Sequence, residues 1–377
     1  MIIKDMRYNS IRYTFIILLL AACRKDITPP RLDTVQIPGY SRTQVEQPGV
    51  LGVYLLNEGN MNMNKASLDY LDLSTGRYSR RLFEAYNPEV TKGLGDVGND
   101  IRIYGSKMYI VVNNSNKVEV VDAATVTRIK QLNIRQCRYA AFDKGYAYIT
   151  SNDGYVSVID TATLTETTRI PTGRNPEQLL ITNNKLYVAN SGGYSPPNYE
   201  RTVSVIDLQT QREIKRIDVA INLHRLALDQ YGDLYVTSRG DYYNVPSRLY
   251  VIDTHTDEVK KQFEVAASNI CIYKDLAYIY SVAWSYITHS NTISYTLINV
   301  KDETILNRSF ITDGTDKQID IPYGIAVDPD TEDVYVTDAL DYVSPGILYC
   351  FDKTGKKKWS VETGDIPAHF VFLKKNQ

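Results

Sequence analysis

Residues 185–207 read KLYVANSGGYSPPNYERTVSVID. An apolar run around Tyr187 breaks into a Gly- and Pro-containing loop and resumes as a second alternating run that ends at Asp207. Period-two alternation bounded by turn residues is the pattern of paired β-strands. Asp207 then opens a polar turn, because an Asp or Asn at the first turn position accepts hydrogen bonds from the backbone two residues on. The unit recurs. Strands like the first centre on Tyr54 (VYLLNEGN), Tyr109 (MYIVVNN), Tyr148 (AYITSND), Tyr235 (LYVTSRG), Tyr278 (AYIYSVA) and Tyr335 (VYVTDAL). Turns like the second open at Asp72, Asp122, Asp160, Asp253, Asn299 and Asp352, at intervals of 38 to 53 residues. Two independent counts therefore give seven copies.

Each copy reads strand, hairpin, strand, turn, strand, without a helical period, which is the make-up of a four-stranded blade. The sequence predicts an all-β, seven-bladed β-propeller. The first copy begins at its second strand (GVYLLNEGN), whereas Ile366–Leu373 (IPAHFVFL) looks like a first strand with no continuation. Pairing of this C-terminal strand with the first blade would close the ring and remove the open edge that invites aggregation.

Composition limits what such a ring can do. Lys and Arg number 42 against 44 Asp and Glu, a formal charge of −2 with no long basic stretch, so nucleic acid is not an expected partner. Hydrophobic residues at 43% and charged residues at 23% exclude extensive disorder and a multi-span membrane protein. Tyrosine stands out, with 30 copies against 8 Phe and 2 Trp. Tyr favours strands and surfaces that recognise amphipathic partners.

Residues 1–22 combine Lys4, Arg7 and Arg12 with an apolar run from Phe15 to Ala22 that is too short to span a bilayer. This is the pattern of a signal peptide. Small residues directly before Cys23 resemble a bacterial lipobox, which implies cleavage there and acylation of Cys23. Attachment to the membrane would come through lipid alone, since no basic patch is present to bind anionic headgroups. Residues 23–48, with Pro29, Pro30, Pro38 and Pro48, read as the acylated Cys and an extended tether, and residues 49–377 as the propeller.

Cys137, Cys271 and Cys350 have no Cys-x-x-Cys spacing and read as buried free thiols. His224, His255, His289 and His369 lack metal-ligand spacing and read as turn or loop residues. Gly93-Leu94-Gly95-Asp96-Val97-Gly98 fits G-x-G-x-x-G, but a strand follows it where a dinucleotide site needs a helix. Asp328 to Asp333 (DPDTED) lacks the Gly and the distant Glu of a calcium loop and reads as a hairpin turn. No cofactor, metal site or catalytic set is expected.

Candidate binding residues come from loops. The hairpin loops between second and third strands grow long in the later blades: Asn190 to Tyr199 with Tyr194, Ser238 to Tyr243 with Arg239 and Tyr242, Trp284 to His289 with Tyr286, and Asp338 to Tyr342. A hairpin needs only two to five residues, so this aromatic excess is optional to the fold. Loops between blades add Asn99 and Asp100, Arg135, Arg138 and Tyr139, Arg174 and Asn175, and the segment Asp313 to Tyr323. Rings with amide and guanidinium neighbours suit a large ligand with apolar faces and amide-rich edges.

The strings LYVANSGG, SVIDTATL and VYVTDA look like the YVTN type of seven-bladed propeller, a likeness of fold alone. LLNEGNMNMNKASLDYLD, GLGDVGNDIRIYGSKMYIVVNNSNKVEVVD and FITDGTDKQIDIPYGIAV are similar to surface propeller lipoproteins of the Bacteroidetes, among them the cobalamin-binding BtuG group. The resemblance implies an outer-membrane-anchored, cell-surface lipoprotein that captures cobalamin or a related corrinoid and delivers it to a TonB-dependent outer-membrane transporter. It implies a face built from Asn57, Glu58, Asn60, Asn99, Asn113, Asn190, Tyr194, Tyr199, Arg239, Tyr242, Trp284, Asp338 and Tyr342, with Arg138, Arg174, Tyr243, Tyr286 and Tyr323 beside them. A surface scaffold that binds protein or glycan is the alternative. Short loops in the second and third blades (VNNSNK and TSNDGY) place the ligand nearer the long-loop side.

Overall fold

The computed structural model describes residues 32–375 apart from 286–288. Residues 1–22, read as a signal peptide, Cys23 and Tyr286 lie outside the described residues. Seven antiparallel sheets form a ring, and they are the seven predicted blades. Blade two, for example, runs Gly98–Tyr104, Lys107–Val112, Lys117–Asp122 and Arg128–Asn133 from the channel outward. The seven inner strands begin at Gly98, Cys137, Pro176, Leu223, Asn269, Pro322 and Pro367, and each packs against its neighbours around a central channel. Among the described residues, only a single helical turn, Leu82–Tyr86, and a short 3-10 turn, Thr315–Gln318, interrupt the strands.

Closure takes the predicted form. Pro367–Lys374 pairs antiparallel with Val50–Asn57 and becomes the inner strand of blade one. The tyrosines of the seven second strands, Tyr54, Tyr109, Tyr148, Tyr187, Tyr235, Tyr278 and Tyr335, are all buried. Two of them reach into the next blade, where the Tyr54 hydroxyl donates to the Ala123 carbonyl at 2.7 Å and the Tyr187 hydroxyl to Asp257 at 2.5 Å. The turn acids also do what their spacing demands. In every blade the carboxylate or amide oxygen accepts a backbone N–H two or three residues on, from Ser74 to Asp72, Ala124 to Asp122, Ala162 to Asp160, Thr210 to Asp207, His255 to Asp253, Lys301 to Asn299 and Thr354 to Asp352.

The segment read as a tether is in part a fifth strand. Asp33–Gln36 pairs with Arg77–Arg80 on the outer edge of blade one. Ile37 is 1% exposed in the core shared by blades one and seven, where Tyr40 and Trp359 also pack. Arg42 binds Asp330 at 3.0 Å and Asp328 at 3.4 Å, so the acidic DPDTED turn holds the incoming chain. No period marked this stretch, because a single buried side chain leaves none.

Ile37→Ala should cost about 2–5 kcal/mol in denaturant unfolding, as for a core aliphatic; a change within about 0.5 kcal/mol would mean that the segment is a free tether. Backbone N–H donors hold the carboxyl pKa values of Asp122, Asp160, Asp207 and Asp253 below the ordinary value. Groups so depressed stabilise the fold above their unfolded pKa, near 3.9, and lose that contribution as pH falls through the folded value. Thermal melts should therefore be level from neutral pH to about 5 and decline below about 4. A melting temperature constant down to pH 2 would contradict the account.

Candidate functional site

The site begins with a backbone irregularity. In blades three, four, five and seven the inner strand starts with a bulge in which two residues face one on the second strand: Arg138 and Tyr139, Glu177 and Gln178, His224 and Arg225, Tyr323 and Gly324. A bulge twists a strand and re-aims its side chains, here towards the channel and the loop face. It also leaves N–H groups outside the ladder. Three of the facing residues are threonines whose hydroxyls take up such a donor: Tyr139 N–H to Thr150 at 3.0 Å, Arg225 N–H to Thr237 at 2.9 Å and Gly324 N–H to Thr337 at 2.7 Å. The Thr of the strings YIT and YVT is thus a structural part of the site.

The bulges bring together a polar cluster from many blades. Glu177 accepts from Arg138 at 2.7 Å and from Arg239 at 3.2 Å. Arg138 also bonds Asn99, whose amide donates to the Arg138 carbonyl at 2.6 Å. Glu58 accepts from the Tyr323 hydroxyl at 2.8 Å and lies 3.0 Å from His369 Nε2. The Tyr139 hydroxyl meets His224 Nε2 at 3.1 Å. Burial alone would raise the Glu58 and Glu177 carboxyls; hydrogen bonds from His369 and Tyr323, and the charges of Arg138 and Arg239, outweigh it and leave both below their ordinary values. Both acids are therefore ionised near neutrality. Burial, followed by the repulsion of Arg239, Arg225 and Arg138, drives His224 well below its usual pKa. Burial also lowers His369 despite Glu58, so both imidazoles are neutral.

Above this cluster stands an aromatic rim. Tyr194, Tyr242, Tyr243, Trp284 and Tyr342 are between 40% and 79% exposed. Tyr194 and Tyr242 wall a recess of about 340 Å³ with Arg138, Glu177 and Arg239 among its polar lining. Trp284, Tyr295, Asp316, Lys317, Asp320 and Leu340 border a second, wider one of about 740 Å³. Tyr199 lies within electrostatic reach of Tyr242 and Asp241, and Tyr342 meets Tyr323 edge-on at 5.9 Å. Arg174 is half exposed and binds Glu200 at 3.2 Å; Arg135 binds Asp153 at 2.9 Å. Asn60 donates to the Tyr342 carbonyl, which ties blade one to the rim.

Four expected contacts are structural pins instead. Asn57 is fully buried and donates to Asp69 at 2.8 Å. Asn190 is fully buried against Ser204 at 2.9 Å, and Asn113 donates to the Cys137 carbonyl at 2.8 Å. Asp338 is 0% exposed and accepts the N–H groups of Asp320, Ile321 and Leu340. All four end a second strand or directly follow one, where the fold needs a side chain to hold the adjoining loop. Their recurrence at one place in the repeat was the signal for that role. His224 and His369, read as loop residues, are buried inner-strand residues of the channel, and Glu177 and Arg225 escaped notice with them.

A family model described as a domain of unknown function, DUF5074, matches residues 51–373. The chain belongs to the DUF5074 family. No curated protein matches it. Solved structures similar to this DUF5074 chain include a quinonprotein alcohol dehydrogenase-like protein of Bacteroides thetaiotaomicron, at 16% identity over 87% of this chain and 79% of that one, TM-score 0.62. Hydrazine synthase of Kuenenia stuttgartiensis matches at 18% identity over 68% and 76%, TM-score 0.56. The computationally designed Ika8 protein matches at 12% identity over 88% and 96%, TM-score 0.53. At these identities the likeness is one of fold.

Glu177 is the counter-ion for two half-buried guanidiniums, and its removal would leave them unpaired beside each other. Glu177→Gln should destabilise the protein by about 3 kcal/mol in denaturant unfolding with an unchanged m-value. A loss under about 0.5 kcal/mol would mean that the cations are hydrated instead of paired.

Proposed function

We propose that this protein is an outer-membrane-anchored surface lipoprotein that captures an amphipathic ligand, cobalamin or a related corrinoid, on the long-loop face and passes it to a TonB-dependent transporter. The observation that carries the reading is the rim of exposed tyrosines and Trp284 over recesses with fixed charges. Rings would cover the ligand's apolar edge, while Asn60, Arg174, Arg239 and the Tyr hydroxyls would meet its amides. The ring's rigidity favours capture from dilute solution, because preformed loops lose little entropy on binding. Glu58 and Glu177 are held ionised by their partners, which suits them to fixing charge and position. Anchoring through Cys23 and hand-over to a transporter belong to the same proposal and follow from the resemblance of the sequence strings.

The test is isothermal titration of residues 24–377 with cyanocobalamin, beside a variant carrying Tyr194→Ala, Tyr242→Ala and Trp284→Ala. The expected result is one-to-one binding below micromolar, weakened at least about 100-fold in the variant, as for loss of central aromatic anchors. Absence of heat and of any thermal shift would overturn the corrinoid reading and favour a face for protein or glycan.

A further inference from the structure

We propose that the channel beside the recess holds a site for a small oxyanion, a carboxylate or a phosphate, with Arg225 as its principal ligand. Arg225 stands in the bulge of blade five, is 9% exposed, and its backbone N–H is fixed by Thr237. Its guanidinium carbon lies 5.2 Å from the centre of the Tyr139 ring. Arg138, which lines the recess, lies 5.6 Å from the same ring, so both guanidiniums contact one aromatic. The charge and phenol groups that act on it, Tyr139, Tyr280, Glu58 and Tyr323, come from blades three, six, one and seven, which places its head at the centre of the ring.

What Arg225 lacks is a carboxylate in direct contact: the Glu58 charge acts on it only from beyond ion-pair distance. Among the described residues no carboxylate is within ion-pair distance of it, and its buried Nε has no hydrogen-bond partner. The nearby acids are committed elsewhere: Glu177 to Arg138 and Arg239, Glu58 to His369 and Tyr323, Asp100 to the Ala140 N–H and Arg102. The guanidiniums of Arg138, Arg239 and Arg225 thus share the carboxylates of Glu177 and Glu58, since Asp100 pairs with Arg102 and both His224 and His369 are neutral. A buried, unpaired cation is costly. Stacking on Tyr139 satisfies only the face of the guanidinium and leaves its edge donors unused. Those donors form the planar fork that grips carboxylate or phosphate oxygens in pairs, a geometry that Lys cannot offer.

The inference does not depend on which ligand occupies the aromatic rim, and its test uses none. Melting temperatures of the soluble chain would be compared in phosphate, acetate and chloride at equal ionic strength. The wild type should melt higher as phosphate or acetate rises, because an anion that binds only the folded state stabilises it in proportion to the logarithm of its concentration. Arg225→Gln should lose that rise, whereas Arg216→Gln, on an outer strand, should keep it. Should Arg225→Gln not fold, Arg225→Lys keeps the charge without the fork and should need at least tenfold more anion for the same shift. A response to phosphate alone assigns a tetrahedral anion; a response to both assigns the carboxylate class as well. Equal melting in all three salts, or a wild-type response in the Arg225 variants, would overturn the proposal.

Discussion

The pairing of Val50–Asn57 with Pro367–Lys374 joins the two ends of the propeller, and the site exists only because it forms. Each blade alone would expose one apolar face and an open inner edge. Closure buries both and forces seven strand starts to meet around one channel. It also assembles part of the site directly. His369 is on the closing strand and Glu58 immediately follows its partner strand, 311 residues away in sequence, so the contact between them is a product of ring closure.

Within the closed ring, labour is divided by position. Residues at the ends of second strands, among them Asn57, Asn113, Asn190 and Asp338, hold loops in place. Inner-strand bulges turn Arg138, Glu177, His224, Arg225 and Tyr323 towards the channel, and threonines in three facing strands absorb the displaced N–H groups. Loops beyond the strands carry the exposed rings. A fixed charge network under a rim of tyrosines gives the face both polarity and apolar area, which is what recognition of a large amphipathic molecule requires.

Much of the fold was legible because its determinants are local. A turn Asp and its N–H partner are two or three residues apart, and a buried Tyr announces itself by alternation. The closing strand was legible as an unpaired remainder. The channel was not, because its members come from different blades, and nothing near His224 or His369 in sequence announces a partner 85 or 311 residues away. Asn57 and Asp338 misled for the opposite reason: amide and carboxylate side chains near loops look like ligand contacts until their burial is known. Ile37 gave no warning, since one apolar side chain in a Pro-containing stretch has no period.

The central claim is that the long-loop face is where ligand is captured. Hydrogen–deuterium exchange of residues 24–377 with and without cyanocobalamin tests it most directly. The account predicts protection of the loops at residues 190–200, 238–247 and 338–344 and around Trp284, with the turns opened by Asp122, Asp160 and Asp207 unchanged. Protection centred on those turns, or exchange unaffected everywhere at saturating ligand, would contradict it.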